Sequence, residues 1–221
     1  MCGFLVVGGP QAKDRDLRSL VRALLGRRGP DGVARLSIDV AGTPIQMGHA
    51  QFDVIDRSGN AHQPMVSASG RCAIVYNGEV YNHVELGRKL GAPGGGWRTR
   101  TDTEVLLEGL EREGPDFLER TNGMFAFVFV RDDPPEVLVA RDRLGIRPMY
   151  HAQHDDGWVI GSTLRSVLAA GVVPFELSPE GLRSFLTFGS VYEPNTIARS
   201  SSPAWSACCR ISSNGGGSSV R

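Results

Sequence analysis

Cys2 offers the most chemistry in this sequence. It stands behind Met1 and ahead of Gly3-Phe4-Leu5-Val6-Val7, an apolar run that reads as a buried strand. Methionine ahead of so small a residue is expected to be trimmed, which makes Cys2 the N-terminus. A terminal cysteine carries nucleophile and base in one residue. The thiolate attacks, and the free α-amine, which titrates at about 8, relays the proton. Taken alone, a cysteine at position 2 is also what chance beside a start codon would place there.

Other stretches could complete such a site. Arg28-Gly29-Pro30-Asp31-Gly32 sets a charged pair inside a rigid turn. Asn77-Gly78-Glu79 ends the apolar run Arg71 to Tyr76. Asn-Gly is a hairpin signal. It is equally a candidate oxyanion hole, because the Asn amide and the Gly N–H can point at one oxygen. Asp102 opens a helix, where a carboxylate either complements the helix dipole or holds a substrate ammonium. Arg141-Asp142-Arg143 leads into Gly145-Ile146-Arg147-Pro148, read as a salt-bridged loop.

The elements that must position these residues follow from periodicity. Leu17, Leu20, Val21, Leu24 and Leu25 mark a helix within Asp14 to Arg27. Strands are predicted at Ala34–Val40, Ile45–Ala50 and Phe52–Ile55. Asn82 is placed as the cap of a short helix ending at Leu90, and Gly91 to Gly96 as a glycine-rich loop. Asp102 lies in a helix running to about Glu113. Met124 to Val130 is apolar on both faces, so it should be central and sandwiched. Val137–Ala140, Met149–Ala152 and Trp158–Ile160 complete the strands. Thr163 to Ala170 and a segment capped by Ser178-Pro179 are helical. Many short strands in hairpins with a few helices predict an α+β fold, a four-layer αββα sandwich of two antiparallel sheets.

The composition narrows the classes. The 221 residues are 41% hydrophobic, enough for one substantial core, and 24 basic side chains balance 24 acidic ones. No basic stripe suggests nucleic acid. The four cysteines form no CxxC pair, and the five histidines lack metal-ligand spacing. No stretch is long enough to span a membrane, and no signal peptide is visible. The expectation is a cytoplasmic chain with reduced thiols and no metal or cofactor.

In their order these residues resemble class II glutamine amidotransferase domains, above all the N-terminal half of glutamine-hydrolysing asparagine synthetases. Met1-Cys2-Gly3 looks like that family's start, and Arg28 to Gly32 matches its RGPDG loop. His62-Gln63-Pro64-Met65, Tyr76 to Asn82 and Thr101-Asp102-Thr103-Glu104 match its xQPM, NGEIYN and (S/T)DTE segments. Asn122 to Phe127 and Arg141 to Tyr150 match its NGMFAF and RDRxGxxPLY blocks. The resemblance covers about residues 1–197 and implies the fold of N-terminal nucleophile hydrolases. It also implies roles. Cys2 attacks the side-chain amide of glutamine, and Asn77 and Gly78 stabilise the oxyanion. Asp102 and Glu79 hold the α-amino group, and Arg28 supports the loop beside the nucleophile. In the family the ammonia passes to a C-terminal domain that uses ATP and Mg to amidate aspartate. A homodimer is compatible with this reading.

Two departures stand out. The family's H-x-R-L-S-I-x-D pattern appears as His49-Ala50-Gln51-Phe52-Asp53-Val54-Ile55-Asp56, so Gln51 takes the place of the arginine that clamps the α-carboxylate. A neutral amide cannot replace a bidentate guanidinium, and weak glutaminase activity is expected. Arg57 is the nearest cation in sequence. Beyond Ile197 the pattern stops. Residues 198–221 contain eight serines and Gly215-Gly216-Gly217, and read as a disordered or frame-shifted tail. No Ser-Gly-Gly-x-Asp-Ser loop occurs, so the ATP-dependent synthetase domain is expected to be absent from this chain. The alternatives are an inactive or ammonia-dependent truncated relic, and a glutaminase serving another amide-forming synthetase.

Overall fold

The computed structural model describes residues 2–54, 56, 59–155, 157–191, 196–198 and 209–211. Among these the apolar runs form two five-stranded antiparallel sheets. The first has the order β2 (Gly32–Val40), β3 (Thr43–Gln51), β1 (Gly3–Gly8), β9 (Gly157–Gly161), β8 (Tyr150–His154). The second has the order β10 (Cys209–Ile211), β7 (Glu136–Arg141), β6 (Gly123–Arg131), β5 (Cys72–Val80), β4 (Met65–Val66).

Side-chain alternation builds the layers. Phe4 and Val6 of β1 pack between the sheets with Ala73 and Val75 of β5 and Val128 and Val130 of β6. Leu5 and Val7 point the other way. They meet Leu17, Val21 and Leu25 of α1 (Leu17–Leu25) and Val167 of α4 (Leu164–Ala169). On the outer face of the second sheet, Ile74, Tyr76, Phe127 and Phe129 meet Leu86 of α2 (His83–Leu90). Leu106, Leu107 and Leu110 of α3 (Asp102–Glu113) join them. The order is helix, sheet, sheet, helix, as expected. β1 and β6 are buried on both faces, which is why their sequences are continuously apolar. The final helix, α5 (Pro179–Phe188), is capped by the Ser178 hydroxyl, which accepts from Gly181 N at 3.0 Å.

Three local expectations are corrected. Asn77-Gly78 is not a hairpin turn. β5 runs straight through it, with Asn77 opposite Ala126 and Gly78 opposite Phe125. Phe52–Ile55 does not continue as a strand; Ile55 lies outside the described residues. The RGPDG loop takes the backbone groups that a ladder would use: Asp31 N donates to Gln51 O at 3.0 Å, and Asp53 N donates to Asp31 Oδ2 at 2.8 Å. The Asn82 side chain does not cap α2. Instead its amide donates to Arg120 O at 2.9 Å and its carbonyl accepts from Asn122 N at 2.9 Å. Within the stretch read as a disordered tail, Cys209–Ile211 pairs with β7; most of that stretch lies outside the described residues. No helix among the described residues is long and apolar enough to cross a membrane.

Candidate active site

β1 and β5 bring the candidate residues together. A cleft of about 350 Å³ is lined by Cys2, Gln51, Asn77, Gly78, Glu79 and Asp102 from the sequence-derived set. Arg28 does not line it but sits behind Cys2, donating from Nε to the Cys2 carbonyl at 3.3 Å. Cys2 precedes β1 on the parity of Phe4 and Val6, the residues that face the second sheet. Its thiol approaches Phe52 O at 3.7 Å. Burial pushes the thiol pKa up; a backbone hydrogen bond with Phe52 opposes this, and the carboxylates of Asp53 and Asp102 add to it. The thiol is therefore protonated at neutral pH and needs a base to react.

The oxyanion donors follow from strand register. Phe125 is engaged on its β7 side: its N–H donates to Asp142 Oδ2 at 3.2 Å and its carbonyl accepts from Asp142 N at 2.8 Å. Gly78, opposite Phe125, thus belongs to a pair without mutual hydrogen bonds, and its N–H points away from β6. The N–H groups two residues to either side share that direction. Tyr76 N donates to Gln63 Oε1 at 2.6 Å, and Val80 N to Asp102 Oδ2 at 2.8 Å. The Gly78 N–H lies between them, without a partner among the described residues. Asn77, 1% exposed, holds its Nδ2 buried and without a partner among the described residues. Two adjacent donors thus face the cleft that holds the thiol, as oxyanion stabilisation requires.

Asp102 is held rigidly. Its Oδ2 accepts from Tyr76 O–H at 2.6 Å and from Val80 N. Burial, then the Asp102 charge, push the Tyr76 phenol well above its ordinary range, so it remains a donor. Asp102 Oδ1 has no hydrogen bond among the described residues and is available to an ammonium. Glu79 is exposed at the rim. Gln51 is buried, with Nε2 only 3.4 Å from Ala61 O and Oε1 unpartnered among the described residues.

The cleft is also lined by residues to which sequence reasoning gave no role: Asp53, Gln63, Tyr76, Thr103 and Arg147. Gln63, Tyr76, Thr103 and Arg147 lie inside quoted motifs, yet their distance along the chain gave no sign that they converge. The Arg141–Pro148 loop is organised by Asp142, whose carboxylate accepts from the N–H groups of Phe125, Ile146 and Arg147.

Two predictions arise here. A Cβ on Gly78 would fall against the Met124 carbonyl and within 2.7 Å of Phe125 Cα. Both are backbone of a central strand and cannot move aside, so Gly78→Ala should destabilise the fold by about 1–3 kcal/mol, read as a lowered urea midpoint. The second concerns His49, fully buried, with Nε2 donating to Tyr76 O at 3.2 Å. Burial lowers its pKa to about 4. The unfolded chain takes up that proton near pH 6.5, so His49 favours the fold above pH 6.5, and this is lost as pH falls towards 4. Stability should drop by about 2–3 kcal/mol between pH 7.5 and 4.5 from this group. His151, also lowered to about 4 by burial, adds in the same direction. His49→Gln should make the urea midpoint less dependent on pH.

A cysteine heads a central strand and opens into a cleft between two antiparallel sheets that are themselves covered by helices, so the class the fold defines is the four-layer αββα sandwich. Among solved structures, glutamine phosphoribosylpyrophosphate amidotransferase from B. subtilis shares this fold, with a TM-score of 0.60 at 23% identity over 81% of this chain and 46% of that chain. The glutamine amidotransferase domain model matches residues 1–217. The chain therefore belongs to the glutamine amidotransferase domain family. It is similar to asparagine synthetase [glutamine-hydrolyzing] 1 of Bacillus subtilis, 31% identical over 202 residues, 89% of this chain and 31% of the relative. It is also similar to asparagine synthetase [glutamine-hydrolyzing] of Asparagus officinalis, 34% identical over 187 residues, 82% of this chain and 30% of the relative. The chain spans about a third of the length of these curated relatives.

Proposed function

We propose that this chain is the glutaminase unit of an amidotransferase of asparagine synthetase type. The observation that carries the reading is the pair of unpartnered donors, Asn77 Nδ2 and Gly78 N–H, in the same cleft as the Cys2 thiol. After loss of Met1, the α-amine of Cys2 takes the thiol proton and sulfur attacks Cδ of glutamine. The oxyanion binds Asn77 and Gly78. The C–N bond breaks, ammonia leaves with the proton from the amine, and a glutamyl thioester remains. Water then attacks the thioester, giving glutamate and restoring the thiol. Asp102, with Glu79 at the rim, holds the substrate ammonium, and Arg28 keeps Cys2 in place through its carbonyl. The names of the relatives support asparagine as the product of the whole enzyme; the family resemblance implies aspartate as acceptor, amidated at the expense of ATP by a synthetase unit, and a cytoplasmic setting is in keeping with reduced thiols.

The test is glutamate release from L-glutamine by the purified chain, after mass spectrometry of its N-terminus. Turnover by the form that begins at Cys2, and none by a form retaining Met1, supports the reading. No turnover by the Cys2 form, even at saturating glutamine, would instead favour the relic reading, for which the neutral Gln51 in the cleft is the supporting observation.

A further inference from the structure

Arg147 lines the same cleft, and its backbone is pinned there. Its N–H donates to Asp142 Oδ2 at 3.1 Å and its carbonyl accepts from Arg141 Nε at 2.6 Å. Its side chain is in a different state. No hydrogen bond or ion pair reaches the guanidinium from the described residues, and Nε is buried and unpartnered. A desolvated guanidinium N–H without an acceptor is unfavourable unless a ligand supplies one. The group shares this cleft with the nucleophile, Cys2.

The charges lining the cleft are asymmetric. Asp53, Asp56, Glu79 and Asp102 are acidic, and Arg147 is the one cationic side chain among its described lining residues. Free glutamine brings one ammonium and one carboxylate. The acidic groups suit the ammonium and repel the carboxylate. Gln51 offers no charge and already directs its amide N–H towards Ala61 O. We propose that Arg147 binds the α-carboxylate of glutamine and is the specificity-determining residue for the free amino acid, in place of the cation missing at Gln51. This rests on the glutaminase reading. It revises the expectation of weak activity from Gln51: the charge-assisted contact is kept but enters from the Asp142 loop instead of β3.

Binding separates this proposal from the chemistry. L-glutamine and L-glutaminamide, whose α-carboxylate is replaced by a neutral amide, are titrated by calorimetry into the full chain carrying Cys2→Ala, with and without Arg147→Ala. L-glutamine should weaken by about tenfold to a hundredfold on Arg147→Ala, while the affinity for L-glutaminamide stays within twofold. Adding Gln51→Arg to the Arg147→Ala protein should restore part of the lost affinity, which excludes a collapsed site. Equal weakening of both ligands, or no weakening of L-glutamine, overturns the proposal. So does a selective loss on Arg57→Ala with none on Arg147→Ala. If the Cys2→Ala protein binds neither ligand, this proposal and the glutaminase reading both fall. Selective, Arg147-dependent binding in a chain that releases no glutamate would uphold the proposal and sink only the reading.

Discussion

Cys2→Ala should reduce glutamate release by roughly four to six orders of magnitude, to the uncatalysed background, as removal of a nucleophile does in other hydrolases. Among its described lining residues the cleft offers no second thiol. Cys72, the other described free cysteine, is buried in the outer core against α3, and its thiol is pushed to about 11, chiefly by burial. Because burial also raises the Cys2 thiol, the reactive thiolate exists only as the amine takes its proton. Alkylation of Cys2 by iodoacetamide should therefore be slow at pH 7 and accelerate steadily as pH rises past the ordinary thiol range. The assay couples released glutamate to a dehydrogenase, and calorimetry with L-glutamine checks that the alanine protein still binds substrate. Turnover persisting in Cys2→Ala would remove the thioester route altogether.

Asn77→Ala should lower kcat by about 10²- to 10³-fold, close to 3–4 kcal/mol of barrier, with KM changed far less. Asn77 Nδ2 has no partner among the described residues, so truncating the side chain removes no hydrogen bond made by that donor in the resting fold. What is lost is a donor that matters when the carbonyl oxygen becomes an oxyanion. Its position is rigid, since β5 is paired with β6 from Cys72 to Val80, and a preorganised donor needs no rearrangement at the moment of reaction. Asn77→Ala and wild type should therefore have similar urea midpoints, in contrast to Gly78→Ala. A rise in KM with kcat intact would make Asn77 a ground-state binding residue and would move the oxyanion hole elsewhere.

Much of this protein is legible in its sequence, because much of it is periodic. Alternation and unbroken apolar runs mark β1 and β6 as central strands. Heptad-like spacing marks α1, and the antiparallel hairpins with intervening helices imply the αββα order of layers. The type and order of Cys2, Asn77-Gly78 and Asp102 point to an amide-cleaving thiol before any contact is known. Local signals fail where a residue is committed to a partner far along the chain. Asn77-Gly78 has the composition of a turn but is held straight by nine register pairs with β6. Asn82 has the composition of a cap but spends both ends of its amide on the segment entering β6. Phe52 has strand propensity, yet Asp31 claims the backbone around it. Arg147 illustrates the limit best. Nothing in its neighbourhood of sequence distinguishes it from the other arginines of that loop. Its surroundings, the cleft it shares with Cys2, Asn77 to Glu79 and Asp102, come from segments that only folding brings together. Sequence by itself determined which atoms could do the chemistry. Tertiary structure decided which of them share one cleft, because desolvation and pairing depend on neighbours in space, not on neighbours in the chain.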